Sequence, residues 1–278
     1  MPPLAYGFAV TEGNGKMSEL VLREDAGGVA VLTMNSPANL NALSDAMLAA
    51  LMDRLVVLDG DRSVRAVVLR GAGKAFCPGH DLKEMQAARQ SEDGGREYFH
   101  DLFTRCSALM QAIPRLPQPV IAQVHGIATA AGCQLVASCD MAVAAEGTRF
   151  GVNGVNIGLF CSTPMVALTR NIPRKHAFEM LTTGQFVDAT RAEALGLINR
   201  VVPPEALEEE TAALAATVAG KLSAAVKIGK RGFYDQAGMD LAAAYAHTGA
   251  VMVENMLWRD TDEGIRAFLE KRSPDWQT

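Results

Sequence analysis

Between residues 20 and 145 short runs of Val and Leu alternate with apolar residues set at helical spacing. "ELVLRED" and "GVAVLTMN" flank an "AGG" turn and predict a β-hairpin. Ser44 then precedes "DAMLAALMDRLVVLD", a cap residue before a helically spaced set. "RAVVLRG" predicts a strand, "GREYFHDLFTRCSALMQAI" a helix ending near Pro114, "QPVIAQVHG" a strand, "GCQLVASCD" a buried helix and "MAVAAE" another strand. Strand, helix, strand in this order implies crossover connections and a partly parallel sheet. From Thr163 onward helices dominate, and "INRVVP" is the one segment that looks like a strand. The pattern divides the chain into a tail (1–17), an α/β core (18–203) and a helical C-terminal region (204–278). No linker or internal repeat interrupts it.

Composition changes this picture little. The chain has 278 residues, 49% hydrophobic and 21% charged, with a net charge of -5. It carries no basic stripe, so nucleic acid is not an expected partner. No apolar run is long enough to span a bilayer, so no membrane is expected either. Cys77, Cys106, Cys133, Cys139 and Cys161 form no C-x-x-C, and the five histidines form no ligand-spaced set. Free thiols in a reducing compartment are expected, with no metal site. With no signal-like N-terminus, the reading is cytoplasmic.

Chemistry enters through two loops. "RAVVLRGAGKAFCPGHDLKEM" and "PVIAQVHGIATAAGCQLVASCD" each run strand, glycine-bearing loop, helix. Ligands of open α/β sheets sit beyond the carboxyl ends of the strands. Small residues there let backbone amides approach a ligand. First-turn amides lack internal partners and carry the positive end of the helix dipole. Two such amides on one carbonyl oxygen would form an oxyanion hole. By themselves the glycines equally well only make turns.

"AFCPGHDLKEM", "HGIATAAGCQLVASCD", "NALS" and the terminal "EGIRAFLEKRSPDW" together resemble the enoyl-CoA hydratase/isomerase, or crotonase, superfamily over residues 18–276. "GVNIGLFCSTP" resembles its domain-containing subgroup, which lacks both catalytic glutamates. The resemblance implies an α/β crotonase-type spiral of ββα units, shared with Clp-type peptidases, and a helical C-terminal region that makes homotrimers or homohexamers. It implies an acyl-CoA thioester as substrate, nominally for 2-enoyl hydration, and no cofactor beyond the coenzyme A that the substrate carries. The amides of His80 and Ala131 would hold the thioester oxygen. Asn41, Ala42 and Leu43 would lie beside the pantetheine, the Pro78 backbone at the adenine and Lys83 near a phosphate, with Gly79 and Gly154 also among the substrate-binding positions. Phe268 and Lys271 would complete the site of a neighbouring subunit.

The chain departs from the family where hydratases place two glutamates. The first position is Gln134, three residues after Ala131, and the second is Gly154, after "RFGVN". Neither can exchange a proton near neutral pH. Decarboxylation or hydrolysis of an acyl-CoA, or acyl-CoA binding without catalysis, are therefore the alternatives. His80 could turn its ring toward the acyl group or pack. Cys161 could be a nucleophile or a buried apolar residue. Asp81 is expected to support its loop, and Glu84 to be exposed. A serine-peptidase reading finds Ala130 where the nucleophile would stand.

Overall fold

The computed structural model describes residues 19–277, so the expected tail over 1–17 lies outside the described residues. In chain order the elements begin β1 (Val21–Ala26), β2 (Val29–Met34), α1 (Asp45–Gly60), β3 (Ala66–Gly71), α2 (Leu82–Ala88) and α3 (Arg96–Arg115). Next come β4 (Val120–Val124), β5 (Ile127–Thr129), α4 (Ala131–Ser138), β6 (Met141–Ala145) and β7 (Arg149–Gly151). The rest is α5 (Pro164–Asn171), α6 (Arg174–Thr183), β8 (Val187–Asp188), α7 (Ala189–Leu195), β9 (Arg200–Val202), α8 (Leu207–Ala219), α9 (Ser223–Gln236), α10 (Leu241–Met256) and α11 (Arg259–Leu269).

Six strands form the main sheet in the order β1-β2-β3-β4-β6-β9. Only the β1–β2 hairpin is antiparallel, and every later pair is parallel. The strands β5, β7 and β8 form a second, smaller sheet. Alternation within the strands sorts residues between two apolar layers. Val67, Leu69, Val120 and Ala122 join the large core with α1, α3 and α4. Ala66, Val68, Ile121 and Val143 join Leu207, Ala215 and Ala219 of α8 on the opposite face. Ser44 caps α1 as its position predicts, accepting a hydrogen bond from the Met47 amide. Among the described residues no single helix is long and apolar enough to cross a membrane.

Three strands and one helix escape the sequence pattern. β5, β7 and β8 have two or three residues each, too few for an alternation to show. Helix α9 carries Gly229 and Gly232 in its middle, which weakens its helical signature.

A buried polar cluster fastens α9 to the core. The Lys230 ammonium donates to Ile113 O (3.0 Å), Gln118 O (2.9 Å) and Asp140 Oδ2 (2.7 Å). Asp140 also accepts from Tyr234 OH and from the Val120 amide. Removing one partner of such a pair leaves a buried charge uncompensated, which typically costs about 3–5 kcal/mol. Lys230→Met is expected to lower the thermal midpoint by about 6–10 °C. A calorimetric scan showing an unchanged midpoint would mean that this cluster does not hold α9 in place.

Candidate active site

The first loop leaves β3, runs back over the sheet and reaches α2. Asn41, fully buried and at φ +62°, ties it down. Its Nδ2 donates to Ala72 O (2.9 Å) and Ala75 O (2.8 Å), and its Oδ1 accepts from the Ser36 amide. The Asn41 side chain is thus consumed by the scaffold, and only loop backbone is left beside it for a ligand. Ala42 and Leu43 are buried next to it, and the Leu43 amide donates to Gly79 O at 2.8 Å.

The second loop is laid directly against the first. Cys77 bridges Ala128 in parallel, with Cys77 N–H to Ile127 O and Thr129 N–H to Cys77 O both at 3.1 Å. Two glycines make the approach possible. A Cβ on Gly132 would stand 2.1 Å from Cys77 O. Gly79 has φ +98°, and a Cβ there would stand 3.1 Å from the Ala131 amide nitrogen. His80, the next residue, therefore sits beside the start of α4. Neither the His80 amide nor the Ala131 amide donates a hydrogen bond among the described residues.

Ala130 turns the chain into α4 with φ +51° and ψ -120°. A side chain in that region is strained by about 1–3 kcal/mol, and such strain gathers at functional turns. The turn is held from the other side as well. The Ala130 amide donates to Gly151 O (2.9 Å), and Thr129 Oγ1 donates to Asn153 Oδ1 (2.6 Å). These contacts bring the 151–154 segment to the same place. Neither Thr129 nor Asn153 stands out in the sequence, because their pairing crosses 24 residues.

Gln134 lies one turn inside α4, on the face of Ala131, and is 5% exposed. Its Oε1 is buried and accepts no hydrogen bond. An unsatisfied buried acceptor costs about 1–3 kcal/mol. Gly154 is buried too, and the chain has closed over it. A Cβ there would stand 2.3 Å from Leu159 O and 2.9 Å from Cys161 Sγ. The position where the resemblance expects a second carboxylate is thus crowded by the 159–161 turn and has no room for a side chain. Burial pushes the Cys161 thiol up, so it is protonated at neutral pH and behaves as a small apolar group.

His80 packs its ring edge-on against Phe103, with centroids 5.8 Å apart. Its Nδ1 lies 3.4 Å from Leu43 O, and its Nε2 is buried without a partner. Burial holds its pKa below the ordinary value, and the contact with Leu43 O only partly offsets this. The ring is neutral at neutral pH. Asp81 caps α2 by accepting from the Lys83 amide, as expected. Glu84 differs from expectation: it is half-buried and accepts from the Asp45 amide at 2.8 Å, capping α1. The ordinary first-turn preference for acids gives no hint that this carboxylate serves a different helix.

The structure thus gathers Leu43, Pro78, Gly79, His80, Ala131, Gln134 and Gly154 around one turn. Lys83 stands exposed nearby on α2. Phe268 and Lys271 are not brought there: they stand at the end of α11, which packs on α10, with Phe268 82% exposed. Among the described residues no three His, Cys, Asp or Glu side chains gather where they could hold a metal ion.

Gly154→Ala is expected to destabilise the protein by about 1–3 kcal/mol, because the added methyl must push Leu159 and Cys161 aside. Gln134→Glu, which keeps the shape, is expected to stay close to wild type at pH 5. Chemical denaturation of the two variants compares them directly. Equal stability of Gly154→Ala and wild type would show that the 159–161 turn yields freely.

Comparison with known proteins identifies the family and the fold. The sequence profile of the Enoyl-CoA hydratase/isomerase family matches residues 24–278. The chain is 46% identical over 263 residues to the mitochondrial enoyl-CoA hydratase domain-containing protein 3 of Danio rerio, covering 95% of this chain and 89% of that one. It superposes on the crystal structure of an enoyl-CoA hydratase from Mycobacterium smegmatis with a TM-score of 0.89 and 56% identity, covering 93% and 99% of the two chains. The human enoyl Coenzyme A hydratase domain-containing protein 3 gives a TM-score of 0.88 and 43% identity, covering 92% and 100%. These names correct the cytoplasmic expectation, since the vertebrate relatives are called mitochondrial. Free thiols report a reducing environment and carry no address, so they do not separate one such compartment from another. With family profile, relatives and fold in agreement, the chain belongs to the enoyl-CoA hydratase/isomerase family and has the crotonase fold.

Proposed function

We propose that the chain binds an acyl-CoA thioester and stabilises its enolate through the amides of His80 and Ala131. The observation that carries this reading is the pair of undonated amides on abutting loops, one of them in the first turn of α4. Negative charge collects on the thioester oxygen when C2 becomes carbanion-like or a nucleophile adds at C3. Two preorganised donors answer that charge, and loss of one such donor typically costs about a hundred- to a thousand-fold in rate. The loop at Ala42 and Leu43 would flank the pantetheine, the Pro78 backbone the adenine and Lys83 a phosphate, with Gly79 between them in the same loop. The coenzyme A of the substrate is the only cofactor-like group the site needs.

Hydration of a 2-enoyl thioester is the nominal reaction, and it asks for more than this. A base must take a proton from water while an acid delivers one to C2. Gln134 can donate and accept hydrogen bonds but cannot exchange that proton. General acid–base catalysis typically contributes about 10²–10⁴-fold, and neither Gln134 nor the filled position at Gly154 supplies it. This favours a second reading, in which the thioester is decarboxylated, hydrolysed or only bound.

Titration calorimetry with an acyl-CoA is expected to show saturable binding. The rate of loss of the enoyl thioester absorbance is expected to rise in Gln134→Glu and to be low in wild type. Absence of binding across a chain-length series would remove every acyl-CoA reading. Fast wild-type hydration would show that the two missing carboxylates do not limit the reaction.

The C-terminal helices are proposed as the assembly region. α10 buries none of its residues within the chain, while Leu241, Tyr245, Met252, Val253 and Leu257 are all more than 60% exposed. So large an apolar surface is typical of a subunit contact. A trimer, alone or doubled into a hexamer, would carry Phe268 and Lys271 to the neighbour's site. Sedimentation equilibrium is expected to return a multiple of three chains, and a wild-type monomer at micromolar concentration would exclude it.

A further inference from the structure

A second concave surface lies between α5 and α6. It is an open groove of about 600 Å³, lined among others by Phe160, Met165, Arg174, Lys175, Phe178 and Leu181. That volume falls within the roughly 300–1,000 Å³ usual for small-molecule sites. Its apolar lining is open to solvent: Phe178 is 64% exposed, Phe160 39% and Met165 37%. Its charge is one-sided. Arg174 and Lys175 are exposed and form no ion pair among the described residues. The single carboxylate of α6, Glu179, faces His176 at 3.7 Å. α5 has no acid at all. Both cations stand in the first turn of α6, where the helix dipole disfavours positive charge. Helix stability therefore does not account for their placement.

An apolar trough with two unpaired cations at one end matches an anionic head on a hydrocarbon tail. We propose that the α5–α6 groove binds the anion of a free fatty acid. The carboxylate meets Arg174 and Lys175, and the chain lies along Met165, Phe178, Leu181 and Phe160. Phe160 also joins this groove to the candidate active site, because its neighbours Leu159 and Cys161 form the turn that closes over Gly154. A fatty acid in the groove would thus touch the segment that shapes the site without entering it. The site is independent of the thioester reading: it uses none of the same side chains.

Calorimetry on the full chain, with decanoate kept below its micelle concentration and the thioester site saturated with coenzyme A, tests this. Saturable binding is expected. Butyrate, with the charge but no tail, and 1-decanol, with the tail but no charge, are each expected to bind at least about tenfold more weakly. The double variant Arg174→Ala/Lys175→Ala is expected to lose about tenfold or more in decanoate affinity, and Phe178→Ser to weaken it too. These positions are exposed, and circular dichroism checks that the variants fold. No saturable binding of decanoate, or equal binding by wild type and the double variant, would overturn the proposal. So would dissociation of an oligomer by Phe178→Ser, since the groove would then be a contact between copies of the chain.

Discussion

Everything at the candidate site depends on how closely the start of α4 approaches the Cys77 backbone. The Cys77 carbonyl lies 2.1 Å from where any side chain at position 132 would begin, so only glycine permits the contact. Gly79 answers from the other strand-loop unit: its φ of +98° suits glycine, and a Cβ there would stand 3.1 Å from the Ala131 amide nitrogen. Where the two loops abut, the Ala131 amide in the first turn of α4 and the amide after Gly79 are left without a backbone acceptor. The strained turn at Ala130 follows from the same constraint. Its backbone must reverse between β5 and α4 while its own amide stays tied to Gly151.

Around this contact the protein uses its polar side chains for rigidity more than for chemistry. Asn41 makes three hydrogen bonds that fix one loop to another. Thr129 and Asn153 fasten the turn to the segment behind it. Glu84 and Asp81 cap helices on either side of His80. Four buried side-chain atoms among the described residues lack a partner, and two of them, Gln134 Oε1 and His80 Nε2, belong to the candidate site; the others are Gln118 Oε1 and His247 Nε2.

No room is left for a side chain at Gly154. Leu159 O and Cys161 Sγ stand where one would begin, and the protonated thiol of Cys161 gives that wall an apolar character. Phe160, between them in the chain, forms part of the groove between α5 and α6.

Amino-acid order was enough to specify the longer strands and most of the helices, with their succession. Val- and Leu-rich runs, a serine cap and helically spaced apolar residues each report a local preference, and local preferences survive in one dimension. The motif-bearing loops were legible for the same reason: glycines at fixed offsets from strands mark turns wherever the chain goes next. Packing in three dimensions settled the remainder. Three-residue strands exist only because a neighbour pairs with them. The pairing of Thr129 with Asn153, the service of Glu84 to another helix and the consumption of Asn41 by the scaffold all join residues far apart in the chain. Whether Gly154 was an empty place or a filled one depended on where a carbonyl five residues later came to rest, and only packing fixes that.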